Sequence, residues 1–186
     1  MVVHANSHAL RTCALRAGGI IASPNDITVR TWLMAAPLRV IILPDMARID
    51  MVYAPDLCRA MLLAASNLAE GGAAAGQVFN VTRTRDDAIP KVEELARELA
   101  RQLGWRYVTV PYVLHMGFIF FMWLLLLVKR LLGMEVPATP PHIFYGKIPF
   151  MDQTFDNSKA RSLLGYEPQW SWREMFAQIA REVKEA

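Results

Sequence analysis

The chain has 186 residues, of which 54% are apolar and 20% charged, and its formal net charge is +3. This length can bury a sizeable hydrophobic core, and the apolar content argues against disorder, so the chain is not a short peptide module. Its 20 basic and 17 acidic residues are intermixed without a basic block, which argues against a nucleic-acid partner.

The first 82 residues predict strands that alternate with helices, the pattern of an α/β fold. Short apolar runs bounded by turn residues predict strands over residues 10–16, 39–43, 49–53 and 77–82. A short helix is predicted over residues 28–36, stopped by Pro37. After the first strand, Ala17-Gly18-Gly19 permits either a close backbone approach to a ligand or a plain tight turn.

Two amphipathic helices are predicted next. The first opens at Pro55-Asp56 and stops at Gly71-Gly72. Its predicted buried face consists of Leu57, Met61, Ala64, Ala65 and Leu68. The second follows Pro90 and ends at Gly104, with Glu93 and Arg97 paired one turn apart. Its predicted buried positions are Val92, Leu95, Ala96, Leu99 and Leu103.

The stretch from residue 107 to 128 carries no charged side chain. From Tyr112 to Val128, 15 of 17 residues are apolar, and a helix of that length is roughly 26 Å long, slightly less than a bilayer's hydrocarbon core of about 30 Å. A helix in or on a membrane and a buried core helix are both compatible with this pattern.

The last part of the chain predicts two capped helices. Prolines at 137, 140 and 141 indicate an extended linker before them. Residues 155–168 then predict a short helix, capped by Asp or Asn and stopped by Gly165. Ser171 and Glu174 have capping-box spacing, so the final helix should begin at Trp172 and run close to Val183.

Motifs with catalytic chemistry are missing from the sequence. It contains no GxGxxG, P-loop, Tyr-x-x-x-Lys, HExxH or GxSxG motif. Its four histidines have no ligand spacing, and Cys13 and Cys58 lie in apolar segments without CxxC spacing. We therefore predict no catalytic residue, no metal site and reduced cysteines with packing roles.

Four sequence blocks resemble, in order and spacing, blocks of the 3β-hydroxysteroid dehydrogenase/isomerase family, which includes sterol-4α-carboxylate 3-dehydrogenases. These blocks are TCALRAGGI (12–20), DMVYAPDLCRAMLLAA (50–65), AGQVFNVT (75–82) and FDNSKARSLLGYEP (155–168). The family belongs to the extended short-chain dehydrogenase/reductases. The resemblance implies a Rossmann-like doubly wound fold with a C-terminal substrate region, and NAD-dependent oxidation of a 3β-hydroxyl on a sterol or steroid. It also implies attachment to the endoplasmic reticulum, facing the cytosol.

The resemblance also implies positions for the ligands. Ala17, Gly18 and Gly19 would lie near the nicotinamide, because ligands bind at the carboxyl ends of the strands in such folds. Asp50 and Tyr53 match the block that leads into the substrate region, although Asp50 could equally hold a turn. The domain division implied is a remnant of the nucleotide-binding fold and start of the substrate region (1–106), a membrane-associated helix (107–132) and a C-terminal substrate segment (133–186).

Three departures from the family bear on activity. The glycine-rich phosphate loop, the cofactor-selecting acid and the Tyr-x-x-x-Lys pair belong to an N-terminal half with no counterpart in these 186 residues. Since the Tyr is the general acid/base and the Lys lowers its pKa, this chain alone is expected to be inactive. The usual Pro is replaced by Ala17, and the Gly-Pro-Gly loop by residues 21–25.

Three functional hypotheses remain open at this point. The chain is the C-terminal half of a family enzyme that depends on the other half, a non-catalytic membrane-associated sterol-binding or interaction protein, or an unrelated single-pass membrane protein. In the first two cases, residues 10–82 and 155–168 fold together, which forbids a single membrane crossing between them. Basic residues flank the apolar stretch on both sides, so we predict a helix that inserts into or lies along one leaflet.

Overall fold

The computed structural model describes residues 3–44, 46–69, 72–83, 89–135 and 150–185. Within these ranges the strands are β1 (Ala14–Ala17), β2 (Gly19–Ile21), β3 (Val40–Pro44), β4 (Met51–Tyr53), β5 (Val78–Val81) and β6 (Arg106–Val110). They form three parallel pairs, β1 with β5, β2 with β4, and β3 with β6. Parallel strands require long crossover connections, most often helical, so the architecture is α/β as predicted.

The helices within the same ranges are α1 (Ile27–Trp32), α2 (Ala54–Ser66), α3 (Val92–Leu103), α4 (Tyr112–Leu131), α5 (Ser158–Leu164) and α6 (Trp172–Glu185). They enclose two hydrophobic clusters. One cluster joins α1, α3 and α6 to β3 and β4, with Trp32, Leu99 and Phe176 among its buried residues. The other joins α2 and α5 to β5, with Phe79 and Tyr166 at its centre.

The predicted amphipathic pattern of α3 is confirmed. All five predicted positions, from Val92 to Leu103, are buried. Gly104 ends the helix in the left-handed conformation (φ 72°), and Arg97 pairs with Glu93 one turn earlier. This buried stripe packs against α6 and the β3–β6 pair.

Both C-terminal helices are also confirmed. The Ser171 hydroxyl accepts a hydrogen bond from the Glu174 N–H (3.2 Å), and the Glu174 carboxylate accepts one from the Ser171 N–H (2.8 Å). This reciprocal capping box starts α6 at Trp172. Gly165 ends α5 in the left-handed conformation (φ 65°), and the Asp156 side chain accepts from the Ser158 N–H at its start.

The strand predicted over residues 10–16 is shorter and less buried in the structure. β1 begins only at Ala14 and is half-buried, and Leu10 is 59% exposed. A local turn explains the difference, because the Ser7 N–H donates to the Leu10 carbonyl (2.8 Å) and the Leu10 N–H donates to the Ser7 hydroxyl (3.1 Å). These bonds occupy the backbone that would otherwise pair in a sheet.

The first two helices also differ from prediction. α1 ends at Trp32, and Pro37 lies in a separate 3-10 turn, Ala36–Leu38. α2 ends at Ser66, earlier than the predicted Gly71-Gly72 stop. Met61 and Ala65 of its predicted buried face point to solvent, because α2 is rotated so that Asp56 and Ala60 face the protein. Gly71 and the predicted linker prolines 137, 140 and 141 lie outside the described residues.

The apolar stretch forms α4, a helix of 20 residues. None of its residues is buried, so the alternative of a buried core helix is wrong. β6 pairs with β3 directly before it, and Pro111 stands at its N-terminus. The apolar surface of α4 is therefore left uncovered by the described parts of the chain.

Candidate functional site

β1 and β2 form one extended run of chain that changes partner at Gly18. Ala17 is opposite Val81 of β5, whereas Gly19 is opposite Met51 of β4. The Gly18 N–H donates to the Val81 carbonyl (3.1 Å), and the Gly19 N–H donates to the Asp50 carbonyl (2.9 Å). The two glycines thus connect two strand pairs at the carboxyl end of β1 and β5.

The absent side chain of Gly18 is what permits this junction. A Cβ built on Gly18 would lie 2.6 Å from the Asp50 carbonyl oxygen and 3.3 Å from Cγ2 of Thr82. The segment at Gly18 approaches the Asp50 backbone closely, whereas its approach to a ligand stays a prediction. Asp50 is fully buried, and its N–H donates to the Gln153 carbonyl (2.8 Å).

Asp56 and Arg83 hold the segment that leads into α6. The Asp56 carboxylate, only 1% exposed, accepts hydrogen bonds from the N–H groups of Gln169 (2.9 Å) and Trp170 (3.5 Å). The Arg83 Nε donates to the Trp170 carbonyl (2.6 Å), and its guanidinium stacks 4.5 Å above the Trp172 ring. We call these contacts the Asp56–Arg83 clamp. The buried Asp56 carboxylate contacts residues 169 and 170, the half-buried Arg83 guanidinium contacts residues 170 and 172, and the two share Trp170.

The electrostatics of this region keep its tyrosines neutral. Burial, followed by the nearby carboxylates Asp56 and Asp50, raises the pKa of the Tyr166 hydroxyl far above its usual range. Burial and then Glu182 and Asp56 raise the pKa of Tyr53. Burial lowers the pKa of the Arg83 guanidinium, and the surrounding carboxylates oppose that change. Such groups can bind and orient a neighbour, but a neutral tyrosine with a raised pKa is a poor proton acceptor near pH 7.

The structure brings together some of the predicted site residues. Ala17, Gly18, Gly19 and Asp50 form one contiguous junction. Tyr53 lies at the far end of β4, where its ring packs edge-on against Trp170 with centroids 5.2 Å apart. Their roles in cofactor and substrate binding stay predictions.

Sequence reasoning missed Asp56 and Arg83 as buried partners. In the sequence, Asp56 marks the start of a helix, and nothing near Arg83 indicates a buried contact. Asp56 lies in the first turn of α2, three residues after β4, and Arg83 lies two residues after β5. A charge that becomes buried requires a partner. That signal predicts that a partner exists but does not identify it, because the partners lie more than 80 residues away in sequence.

An apolar cavity of about 270 Å³ opens beside Gly19, between α1, β4 and the start of α3. Its lining residues are Gly19, Ile27, Thr28, Thr31, Trp32, Met46, Ile49, Met51 and Val92. None of these lining residues carries a charge. Among the residues that the structure describes, the cavity thus offers an uncharged surface next to the glycine junction.

By length and composition, α4 is able to cross a membrane. An 18-residue stretch within it has a mean hydropathy of 1.9, and that stretch is 0% buried. Lys129 and Arg130 lie in its last turn, and no acidic residue lies in its first.

The resemblance to 3β-hydroxysteroid dehydrogenases is confirmed by sequence comparison. The chain is 28% identical over 168 residues to a 3β-hydroxysteroid dehydrogenase/Δ5→4-isomerase of Mycobacterium tuberculosis, a match that covers 84% of this chain and 42% of that protein. It is 28% identical over 179 residues to a 3β-hydroxysteroid-dehydrogenase/decarboxylase of Arabidopsis thaliana, covering 90% of this chain and 39% of that protein. The chain thus spans about two-fifths of the length of these relatives. No protein-family model matches it.

Solved structures confirm the Rossmann-like fold class. The chain superposes on RMD from Pseudomonas aeruginosa complexed with NADPH with a TM-score of 0.60 and 13% identity, covering 96% of this chain and 50% of that one. It superposes on a UDP-galactose 4-epimerase with a TM-score of 0.57 and 16% identity, covering 95% of this chain and 47% of that one. It superposes on dTDP-glucose 4,6-dehydratase from Bacillus anthracis in complex with NAD with a TM-score of 0.55 and 11% identity, covering 92% of this chain and 44% of that one.

Proposed function

We propose that this chain is the C-terminal part of an NAD-dependent oxidoreductase of the short-chain dehydrogenase/reductase type, acting on the 3β-hydroxyl of a steroid or sterol. The observation that carries the proposal is the similarity to two 3β-hydroxysteroid dehydrogenases over most of the chain. The glycine junction supports it, because it lies at the carboxyl ends of parallel strands, where doubly wound folds bind their ligands. Residues 1–106, 107–132 and 133–186 are the corresponding functional divisions.

In this proposal Ala17, Gly18 and Gly19 form one wall of the nicotinamide site. The N–H groups of both glycines are already bonded within the protein, so their contact with a nicotinamide is through the glycine backbone surface. Gly19 suits this role, since it also lines the cavity. Bound NAD would accept the hydride from the substrate carbon. Asp50 and Tyr53 would shape the adjoining substrate region.

The chain alone is expected to be inactive in this reaction. Its described site offers neutral tyrosines and the Asp56–Arg83 clamp, but the family's Tyr-x-x-x-Lys proton-transfer pair has no counterpart in the sequence. The first test is to read the coding sequence upstream of Met1 for an in-frame Tyr-x-x-x-Lys and glycine-rich loop. A longer product with both should reduce NAD, followed by absorbance at 340 nm, when given a 3β-hydroxysteroid. A longer product that binds NAD but leaves 3β-hydroxysteroids unchanged would refute the proposal.

The second candidate is a non-catalytic membrane-associated protein that binds sterols or a protein partner. It is favoured by the exposed α4 and by an uncharged cavity that both lie within this chain. A stop codon upstream without either motif supports it. Titration of the purified chain with NAD is a further check, because tight NAD binding by this chain alone would contradict the expectation that most of the cofactor site belongs to the N-terminal half.

Both candidate functions include membrane association through α4. At about 1.5 Å per residue, the 20 residues of α4 are about 30 Å long, close to the hydrocarbon thickness of a bilayer. On both sides of α4 the chain returns to the same body: β6 pairs with β3 before it, and α6 packs on α3 after it, where Lys184 Nζ donates to the Gln102 carbonyl (3.0 Å). The proposal is therefore a helix that inserts into or lies along one leaflet, at the cytosolic face of the endoplasmic reticulum.

Flotation with phosphatidylcholine vesicles tests this insertion. Phe120 and Leu124 lie one turn apart on the exposed side of α4, and lysine in the middle of a membrane helix costs roughly 2.5 to 3.5 kcal/mol. The double variant Phe120→Lys/Leu124→Lys should stay in the aqueous fraction. The matched control, Met61→Lys/Leu62→Lys on the exposed face of α2, should float like the wild type. Tags at Met1 and Ala186 that report opposite sides of a membrane would refute the one-leaflet topology.

A further inference from the structure

We infer that the outer face of the β3–β6 pair, the side turned away from α3, docks on an anionic membrane leaflet beside α4. The residues that make this contact are Ile42 and Val108, with Arg39 and Arg106 next to them. The inference rests on the proposed membrane association of α4. It adds a second contact surface and a preference for negatively charged lipid.

The two faces of the β3–β6 pair differ in how well they are covered. Ile41 and Leu43 point inward, and both are buried in the hydrophobic cluster that contains α3. Ile42 lies opposite Val108 in the pair, and successive side chains of a strand alternate, so these two point outward. They are 44% and 41% exposed. Because parallel strands are normally covered on both faces, this apolar surface is suited to a further partner.

The outer face is continuous with the membrane-associated helix. β6 ends at Val110 and α4 begins at Tyr112, with only Pro111 between them. The first turn of α4 is itself apolar and exposed at Tyr112 and Val113. At about 3.3 Å per residue, Val108 lies roughly 13 Å along the chain from Tyr112. A leaflet that receives α4 is therefore close to the outer face.

Two arginines lie at the end of the pair that is remote from α4. Arg39 directly precedes β3, and Arg106 is the first residue of β6. The Arg106 N–H donates to the Arg39 carbonyl (3.0 Å), which holds the two residues side by side. Both are exposed, and neither side chain has an ion-pair partner among the described residues. The surface therefore carries two uncompensated positive charges.

The spacing of these groups fits the layers of a leaflet. Arg106 lies on the same face as Val108 and two residues before it, about 7 Å along the strand. The headgroup region of one leaflet is roughly 5 to 8 Å thick. Ile42 and Val108 can thus contact the acyl boundary while the arginines bind lipid phosphates. The cytosolic leaflet is negatively charged, so the charge of the surface complements it.

The test is partitioning of the full chain onto two kinds of vesicle, phosphatidylcholine alone and phosphatidylcholine with about one third phosphatidylserine. Ile42→Gln/Val108→Gln removes the apolar pair without a change of charge. Arg39→Asn/Arg106→Gln removes the two charges, and asparagine tolerates the left-handed backbone of Arg39 (φ 50°). Circular dichroism verifies that each variant is folded, and two separate variants guard against a folding defect in one.

The matched control is Arg173→Gln/Arg181→Gln. It removes the same number of positive charges from exposed positions of α6. Because α6 packs on α3, these positions are remote from the outer face. The control thus separates a local contact from a general effect of net charge.

We expect the wild type to partition about tenfold more strongly onto the phosphatidylserine vesicles than onto phosphatidylcholine alone. The Arg39/Arg106 variant should lose about tenfold on the phosphatidylserine vesicles and less than about twofold on phosphatidylcholine. The Ile42/Val108 variant should lose about tenfold on both, because the apolar contact does not depend on lipid charge. The α6 control should change by less than about twofold, since its charges lie beyond the screening length.

Three results would overturn the inference. The first is equal partitioning of the wild type onto both kinds of vesicle. The second is a loss in the α6 control as large as that in the Arg39/Arg106 variant. The third is wild-type partitioning by the Ile42/Val108 variant, which would mean that a protein partner such as the N-terminal half covers this face. Each leaves the insertion of α4 intact, whereas a wild type that binds neither kind of vesicle refutes both.

Discussion

Replacing Gly18 by alanine should destabilise the protein, because the added Cβ has no room. It would lie 2.6 Å from the Asp50 carbonyl oxygen and 3.2 Å from the carbonyl carbon, and both are backbone atoms that cannot rotate away. Relief requires β2 to move from Asp50, which weakens the Gly18–Val81 and Gly19–Asp50 hydrogen bonds. Overpacking typically costs about 1 to 3 kcal/mol and each hydrogen bond about 1 kcal/mol. We expect a net loss of about 2 to 4 kcal/mol in the free energy of unfolding.

Urea denaturation in mild detergent, followed by tryptophan fluorescence, measures this loss as a lower midpoint with an unchanged m value. Gly117→Ala is the matched control, because a Cβ built there has no heavy atom within 4 Å apart from its chain neighbours and the nearby backbone of its own helix. Gly117 lies inside α4, and alanine favours a helix by about 1 kcal/mol over glycine, so its stability should be unchanged or slightly higher. A loss below about 0.5 kcal/mol in Gly18→Ala would refute the reasoning and leave cofactor contact as the remaining role of this glycine.

Three further predictions concern the clamp, the capping box and the cysteines. Asp56→Ala removes the buried acceptor of the Gln169 and Trp170 N–H groups. It should lower the free energy of unfolding by about 3 kcal/mol, measured by the same urea denaturation. An unchanged midpoint would contradict the clamp. The hydrogen bonds from Ser171 lower the pKa of the Glu174 carboxyl, so the capping box stabilises α6 above the unfolded pKa and is lost as the pH falls through the lower folded pKa. An NMR titration should show that pKa rising toward about 4.3 in Ser171→Ala, and an unmoved pKa would contradict this origin. Burial raises the pKa of the Cys13 thiol, whereas Cys58 is exposed. Iodoacetamide at pH 8 should therefore label Cys58 before Cys13, as measured by mass spectrometry. Faster labelling of Cys13 would contradict this prediction.

Local signals in the sequence were sufficient for the elements whose stability is local. The stripe from Val92 to Leu103 predicted both α3 and its buried face, because a helix with one wide apolar stripe has only one way to bury it. The Ser171–Glu174 spacing predicted the start of α6, since both capping bonds join residues three apart. The uncharged run after Pro111 predicted α4, although not whether it is buried.

Elements that depend on distant partners were predicted less well. The sequence placed the Met61 side of α2 in the core, whereas Asp56 is buried there, because its carboxylate binds backbone N–H groups of residues 169 and 170. Nothing within one or two turns of α2 encodes that contact. The same holds for β1, where a turn held by Ser7 removes Leu10 from the strand.

By itself, the sequence determined the α/β class, the helix boundaries set by local caps and the resemblance to 3β-hydroxysteroid dehydrogenases. Only the tertiary structure decided what the Gly18-Gly19 pair approaches, how Asp56 and Arg83 are satisfied, and that α4 remains uncovered by the described chain. The physical reason is the separation in sequence between the residues that interact. Capping and periodicity act over three to four residues and are visible in sequence, whereas the packing of Gly18 on Asp50 joins segments about 30 residues apart that only folding brings within 3 Å.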